Sequence, residues 1–370
     1  MFRNYFKTAF RHLWKNKSFS ALNIIGLALG MACSLLILLW VQHEKSIDAF
    51  HEKGNQLYVV YERQYHDGQI DAGYFTPGLL SEELKKKIPE VELSSPFAWN
   101  NLSTFQYGDK ILKQEGNNAG ADFFTMFSYT LIGGKPETAL NSPLSIAISR
   151  KMANNFFGSP AEAMGKTLRY ENKKDLQVTA VFEDIGPNSA DKYDFLINWD
   201  LFLEFNGWAK EWGNNGPRTY LQLRPDADPA KVDAKIREFL KDYNTYMNAN
   251  FYIELGLQRF GDMYLHSTFK NGKVAGGRIE YVRIFSIVAI FILLIACINF
   301  MNLTTARSVK RAKEIGIRKV AGAFRSILIR QFMGEAILVT FISVILSLAL
   351  VVLFLPAFNS ITGKSISLPW

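Results

Sequence analysis

Three stretches of the chain carry no Lys, Arg, Asp or Glu: Ser18 to His43, Ile284 to Ala306 and Ala336 to Gly363. Their centres read LLILLWV, FSIVAIFILLIACI and ILVTFISVILSLALVVLFL. A bilayer core about 30 Å thick needs about 20 apolar helical residues, and each stretch is long enough. A soluble protein can bury one helix that is apolar all round, but three uninterrupted runs point to a membrane. The pattern places spans at 21–43, 284–306 and 335–358, with a short tail at 359–370. Ahead of the first span, Phe2, Tyr5, Phe6, Ala9, Phe10, Leu13 and Trp14 recur at helical spacing with basic residues between them. Residues 1–20 therefore read as an amphipathic helix on the membrane surface.

Between the first two spans, residues 44–283 alternate strand and helix patterns. Gln56 to Tyr65, Ser145 to Ser149, Arg218 to Leu223 and Phe251 to Gln258 read as strands. Thr104 to Gln114 alternates around Gly108-Asp109, a hairpin signal. Thr167 to Tyr170 and Leu176 to Glu183 read as a further strand pair. Pro77 to Ile88, Arg150 to Phe157 and Pro229 to Met247 read as helices, and Gly120 to Leu131 as an aromatic-rich stretch that starts as one. The fold class expected is an α-helical membrane bundle of three spans carrying a large mixed α/β domain. That domain is expected to have two lobes, one of them, about 115–217, inserted into the other.

The net charge of +8 would suit a nucleic-acid partner, but its distribution argues against one. Residues 1–17 hold five basic side chains and no acidic one, and 307–335 hold eight basic and two acidic. Residues 44–283 hold 28 basic and 32 acidic. Positive charge beside the spans is the topology signal that places both short segments in the cytosol and the large domain outside. The two cysteines, Cys33 and Cys297, both fall in spans and supply no disulfide framework to the outer domain. The apolar run continues past Cys33, which sets it apart from a cleaved signal peptide.

Chemistry-bearing motifs are few. Gly165-Lys166-Thr167 imitates the end of a phosphate-binding loop, but Pro160, which has no N–H, stands where that loop needs a glycine. Gly363-Lys364-Ser365 fails in the same way, with Phe358 at that position. The five histidines are scattered; His43 and His51 are read as solvated or interfacial. No catalytic or metal site is expected. Asn299 and Asn302, three apart near the end of the second span, share a helix face and read as helix-packing residues.

The cytosolic segment 307–334 contains KRAKEIGIRKVAGA, more ordered in pattern than topology alone requires. It resembles the cytosolic signature of MacB/FtsX-like ABC transporter permeases. The start RNYFKTAFRHLWKNKSFSALNIIGLALGMA and the runs ADFFTMFSYTLIGGKPETAL and SRKMANNFFGSPAEAMGKTL resemble the N-terminus and periplasmic core of the Bacteroidota type. The resemblance implies an inner-membrane permease subunit with four spans per unit and a two-lobed periplasmic domain. It implies mechanotransmission: a separate ABC ATPase binds ATP and magnesium, and the chain itself carries no cofactor. A coupling helix near Lys310 to Val320 would sit on that ATPase; Lys310 and Arg311 belong to the coupling set, Glu314, Ile315, Arg318 and Lys319 would face the ATPase or its adjacent surface, and Gly316 and Gly322 would permit close approach and a turn. Further implied partners are a second permease copy or half, a periplasmic adaptor and an outer-membrane channel, with the bilayer around the spans and no nucleic acid. The chain ends at Pro369-Trp370 before a fourth span, and reads as a fragment, a truncated gene product or one half of a longer protein. An FtsX-like regulator of a cell-wall enzyme and a membrane sensor-receptor are the rival readings.

Overall fold

The computed structural model describes residues 17–310, 316–317, 320 and 324–368. The chain divides into two compact units, Met1–Glu44 with Glu280–Trp370, and Lys45–Ile279. Among the described residues the longer helices are α1 (Lys17–Ser46), α2 (Leu80–Lys87), α3 (Arg150–Phe157), α4 (Trp199–Phe205), α5 (Pro229–Ile236), α6 (Arg278–Lys310) and α7 (Arg325–Thr362).

In the helical unit, α1, α6 and α7 are each long and apolar enough to cross a membrane. At 1.5 Å per residue even α1, with 30 residues, extends about 45 Å. All three helices run beyond the spans drawn at 21–43, 284–306 and 335–358. Hydropathy marks only the hydrocarbon-facing turns, whereas the backbone ladder continues through the polar flanks. Gly363, at φ 65°, ends α7 in the left-handed conformation, and the Lys364 N–H closes on the Asn359 carbonyl.

The other unit is built on strands β1 (Leu57–His66), β2 (Gln69–Gly73), β3 (Val91–Phe97), β4 (Asn101–Tyr107), β5 (Lys110–Ala119), β6 (Leu131–Gly133), β7 (Ser145–Ser149), β8 (Thr167–Tyr170), β9 (Lys174–Phe182), β10 (Phe195–Asn198), β11 (Arg218–Leu223) and β12 (Phe251–Arg259), with a small hairpin of β13 (Thr268–Lys270) and β14 (Lys273–Gly276). Two strand systems emerge from the pairing. The first runs in the order β3-β11-β1-β12, antiparallel throughout, with β2 folded back on β1. Helix α2 lies between β1 and β3 in the chain, and α5 between β11 and β12. This is the split βαββαβ arrangement. Leu80, Leu84, Val232 and Ile236 of the two helices pack on Tyr58, Val60, Leu221, Leu223, Ile253 and Leu255, which share one face of the sheet.

The second system closes on itself. Strand β10 pairs with β7 on one side and, in parallel, with β5 on the other, so β10-β7-β9-β8-β4-β5 form a ring. Closure removes exposed edges. Phe105, Ile146, Ile148, Leu168, Leu176, Val178, Phe195 and Ile197 are buried together with Met152 and Phe156 of α3. Helix α3 is capped by the Ser149 hydroxyl, which accepts from the Met152 N–H, and ends at Gly158 with φ 89°.

The ring lies between β3 and β11 in sequence, so it interrupts the split βαββαβ unit. Its first strand starts at Asn101 and its last ends at Asn198. The expected lobe boundary of 115 falls inside β5, where Glu115 pairs with Leu102 of β4. The expected helix over 229–247 stops at Ile236, and a 3-10 turn over Phe239–Asp242 follows. The Leu255 N–H of β12 donates to the Arg237 carbonyl at 2.9 Å, which ties the helix end to the sheet. Both strand systems share one aromatic core: Leu57, Val59, Phe97 and Tyr220 from the sheet meet Ala147, Phe182 and Leu196 from the ring around Phe123, Phe124 and Phe127.

Candidate coupling site

Helix α1 presents small residues every fourth position: Gly26, Gly30 and Ser34. Four-residue spacing lines them on one face, and small residues let helix backbones approach closely in lipid. Helix α6 lies against that face in antiparallel register. A Cβ on Gly30 would lie 2.4 Å from the Ala296 Cβ, and a Cβ on Gly26 would lie 3.4 Å from Asn299 Nδ2. The Ser34 hydroxyl donates to the Ala289 carbonyl at 3.0 Å. Trp40 and Phe285 meet edge-on at 5.1 Å further along. Sequence reasoning marked Asn299 but missed the glycine seam opposite it, although the four-residue spacing of small residues inside an apolar run was there to be read. Asn302 is exposed.

Another face of α1 meets α7. Ala32 and Leu36 cluster with Val351, and Leu350, Leu355 and Phe358 pack around them. On α7 the buried positions Glu335, Val339, Ser343, Ser347 and Val351 again recur every fourth residue. The Ser343 hydroxyl donates to the Val339 carbonyl and the Ser347 hydroxyl to the Val344 carbonyl, both at 2.8 Å. Helix back-bonding of this kind satisfies a hydroxyl that has no water. At one end of this pair Glu44, 1 % exposed, forms an ion pair with Lys364 at 2.8 Å. The Asn359 side chain holds the turn that carries Lys364, donating to the Ile366 carbonyl at 2.9 Å and accepting from the Ile366 N–H at 3.1 Å. A buried carboxylate is tolerated only with such a partner.

In the α/β unit, the segment that follows α1 is stitched into the aromatic core. The Asp48 N–H donates to the Asn188 carbonyl at 2.7 Å, and the Asp48 carboxylate accepts from the Ala190 N–H at 3.0 Å. Burial pushes this carboxyl up to about 6 against the pull of that N–H, and neighbouring Asp191 adds to the rise. His51, read as solvated or interfacial, is instead 5 % exposed. Its Nδ1 accepts from the Ser128 N–H at 3.1 Å, and its ring sits among Phe50, Phe127, Tyr129 and Phe260. Burial pulls it down to about 4, so it is neutral. The Glu52 N–H donates to the Ser128 hydroxyl at 2.9 Å. These contacts fasten residues 48–52 to the loops at 125–129 and 188–190. Where the chain leaves for α6, Gly277 at φ 136° leaves no space for a side chain: a Cβ would lie 2.9 Å from the Leu265 carbonyl and the Ser267 nitrogen.

Of the residues expected to take part in ATPase coupling, Arg311, Glu314, Ile315, Arg318, Lys319 and Gly322 lie outside the described residues. Lys310 is the last residue of α6, and Gly316 is exposed with open space around its Cα. The false phosphate loop is part of the strand ring. Pro160 opens a short helical turn capped by Ser159, and Gly165, at φ 74°, turns the chain into β8.

Residues 20–239 match the family of the MacB-like periplasmic core domain, and residues 286–370 match the FtsX-like permease C-terminal family. The chain is 22 % identical over 363 residues to the macrolide export ATP-binding/permease protein MacB of Haemophilus ducreyi, covering 94 % of this chain and 48 % of that protein. It is 24 % identical over 370 residues to the pyoverdine export ATP-binding/permease protein PvdT of Pseudomonas savastanoi, covering 94 % and 51 %. The chain thus spans about half the length of the curated relatives it matches. A solved domain assigned to a permease of Porphyromonas gingivalis has the same fold, with a TM-score of 0.50 at 21 % identity over 63 % of this chain and 98 % of that one.

Proposed function

The chain belongs to the MacB/FtsX-like family of ABC transporter permeases, and on that premise we propose that it is a permease subunit that turns ATP hydrolysis by a separate cytosolic ATPase into movement of its α/β domain. In this reading ATP and magnesium belong to the ATPase, and the chain is not itself an enzyme. On the same reading it sits in the inner membrane with the α/β domain in the periplasm, an orientation that the positive flanks of its spans support. The work done is export or extraction of a compound from the periplasmic side, with a second permease copy or half, a periplasmic adaptor and an outer-membrane channel as the remaining partners.

One observation carries the reading: α1 and α6 are locked along the Gly26-Gly30-Ser34 seam, and both continue covalently into the α/β domain. Helix α6 also leads at its other end into the basic segment KRAKEIGIRKVAGA. A closely packed pair passes on displacement as one body, because a packed interface shifts between discrete arrangements and does not stretch. The hydrogen bonds at 48–52 then carry α1's motion into the aromatic core. The test is affinity purification of the chain from native membranes, with bound proteins identified by mass. An ABC ATPase is expected in the wild-type sample and not in a Lys310→Glu, Arg311→Glu, Lys319→Glu variant. Wild-type membranes that contain the ATPase but yield none of it would overturn the proposal.

A further inference from the structure

The chain returns from the strand ring to the four-stranded sheet along residues 206–217, between α4 and β11. This return crossing is fastened to the segment between β2 and α2. The Thr76 N–H donates to the Pro217 carbonyl at 2.7 Å, the Gly216 N–H donates to the Thr76 carbonyl at 3.3 Å, and Asn215 forms an isolated β-bridge with Pro77. A further contact reaches β1: Asn215 Nδ2 donates to Glu62 Oε2 at 2.7 Å. Gln64 Nε2 donates to the same oxygen at 3.0 Å. Glu62 is 0 % exposed, and its Oε1 receives no donor. The oxygen of the Asn215 amide, Oδ1, is also buried without a donor.

A buried carboxyl group stays charged only where a cation or several donors compensate it. The charged side chains on the elements around Glu62 are engaged elsewhere. Between β1 and β12, Arg63 meets Glu254 at 3.9 Å and donates to the Leu255 carbonyl at 2.9 Å. Asp71 of β2 pairs with His66, and Arg218 of β11 with Asp191. On the helices that cover the sheet, Glu83 meets Lys86, Lys87 and the Tyr243 hydroxyl, while Asp233 meets Arg237 and the Leu257 N–H. On the crossing itself Lys210 is exposed, and Glu211 accepts from Asn214. Burial, opposed only by the Gln64 hydrogen bond, therefore sets the Glu62 carboxyl and pushes it up to about 8.

We propose that Glu62 holds a proton in the folded domain and that this proton latches the return crossing onto β1 through the Asn215 amide. Both donors already go to Oε2, which marks Oε1 as the oxygen that carries the proton, and Asn215 Oδ1 is the acceptor that lacks one. Acid and amide then exchange two hydrogen bonds, Nδ2–H to Oε2 and Oε1–H to Oδ1. Loss of the proton leaves two buried acceptors unanswered, which costs free energy at this one point of the crossing. The ties at Thr76 and Pro217 remain. The junction between sheet and ring is thus tight in acid and looser as pH rises. Opening returns Glu62 towards the ordinary value of 4.5, so the grip weakens by up to about tenfold per pH unit from there to about 8, and no further above it. The latch lies wholly within the α/β unit and does not rest on the permease reading.

The test is hydrogen exchange of the full chain in lipid nanodiscs at pH 5.5 and pH 8.5, each rate divided by that of the denatured chain at the same pH. In the wild type, protection across 206–216 should fall about tenfold or more between the two. Glu62→Gln supplies an amide that donates to Asn215 Oδ1 and does not titrate, so it should keep its acid-level protection at both. Asn215→Ala should exchange faster than wild type at pH 5.5. Strand β7, in the ring, should hold its protection throughout, which separates release of the latch from general unfolding. Infrared difference spectra give a direct second readout: a protonated-carboxyl band at pH 7 in the wild type that Glu62→Gln removes. Flat wild-type protection, the same fall in Glu62→Gln, an equal fall at β7, or no band lost in Glu62→Gln would each overturn the proposal.

Discussion

Replacing Gly30 by alanine adds a single methyl group to α1, and its consequence follows from one distance. The new Cβ would stand 2.4 Å from the Ala296 Cβ. Carbon atoms rest at about 3.5–4.0 Å, so the helices must part by about 1 Å or more. Overpacking of this kind costs about 1–3 kcal/mol. Separation also stretches the Ser34 to Ala289 hydrogen bond, and polar contacts between membrane helices contribute about 0.6 kcal/mol on average. Against this, alanine is favoured over glycine within a helix by about 1 kcal/mol. Crowding exceeds propensity at Gly30. At Gly334 in α7 a Cβ would meet nothing within 4 Å, so there propensity acts alone. Gly30→Ala should therefore unfold at lower temperature than wild type in nanodiscs, by several degrees, while Gly334→Ala should match or exceed wild type. Ala296→Gly introduced into Gly30→Ala should restore most of the loss, because it removes the opposing methyl group. A Gly30→Ala protein as stable as Gly334→Ala, or one that Ala296→Gly fails to rescue, would refute the close approach of α1 and α6.

Three further outcomes are expected. Glu62 is buried and held by Asn215 and Gln64, and burial pushes its carboxyl up to about 8; the folded state thus favours the proton, and the stability this gives below about pH 4.5 is lost as pH rises through 8. Glu62→Gln should flatten that loss in chemical denaturation at pH 5 and pH 8.5, each tenfold change in proton affinity being worth about 1.4 kcal/mol, and an identical pH slope in the variant would contradict it. His51 behaves in the opposite sense: burial pulls it down to about 4, so stability present above pH 6.5 is lost as pH falls from there through 4, and His51→Phe should be less acid-sensitive than wild type in the same assay. Glu44→Gln removes the buried carboxylate that Lys364 meets and should destabilise by about 1–3 kcal/mol, whereas Glu44→Gln with Lys364→Met should recover much of it; equal loss in both variants would remove the ion pair from the account.

The three apolar helices were legible because a charge-free run of bilayer length seldom occurs outside a membrane span. Strand β11 was legible to the residue, since Arg218 to Leu223 lies between a proline and a charged turn. The strand ring was not. Its closing strand β10 has four residues, and its partners β5 and β7 lie far away in sequence, so no local pattern announces the closure. The ion pair of Glu44 with Lys364 joins residues near opposite ends of the chain and has no local signal either. His51 looked solvated because a histidine near a helix end usually is; aromatic residues contributed by 127–129 and Phe260 bury it. The Gly26-Gly30-Ser34 seam is different, because its spacing was visible and hydropathy averaging passed over it.

The central claim is that ATP turnover in the cytosol moves the α/β domain through α1 and α6. The most direct measurement is hydrogen exchange of the reconstituted permease–ATPase complex, compared between the nucleotide-free state and a state trapped in turnover. The account predicts changed protection at 48–52 and at the loops 125–129 and 188–190 that hold this segment, and abolition of the change by Gly30→Leu while the ATPase stays bound. A complex that hydrolyses ATP while every peptide across 45–279 exchanges identically in the two states would contradict it.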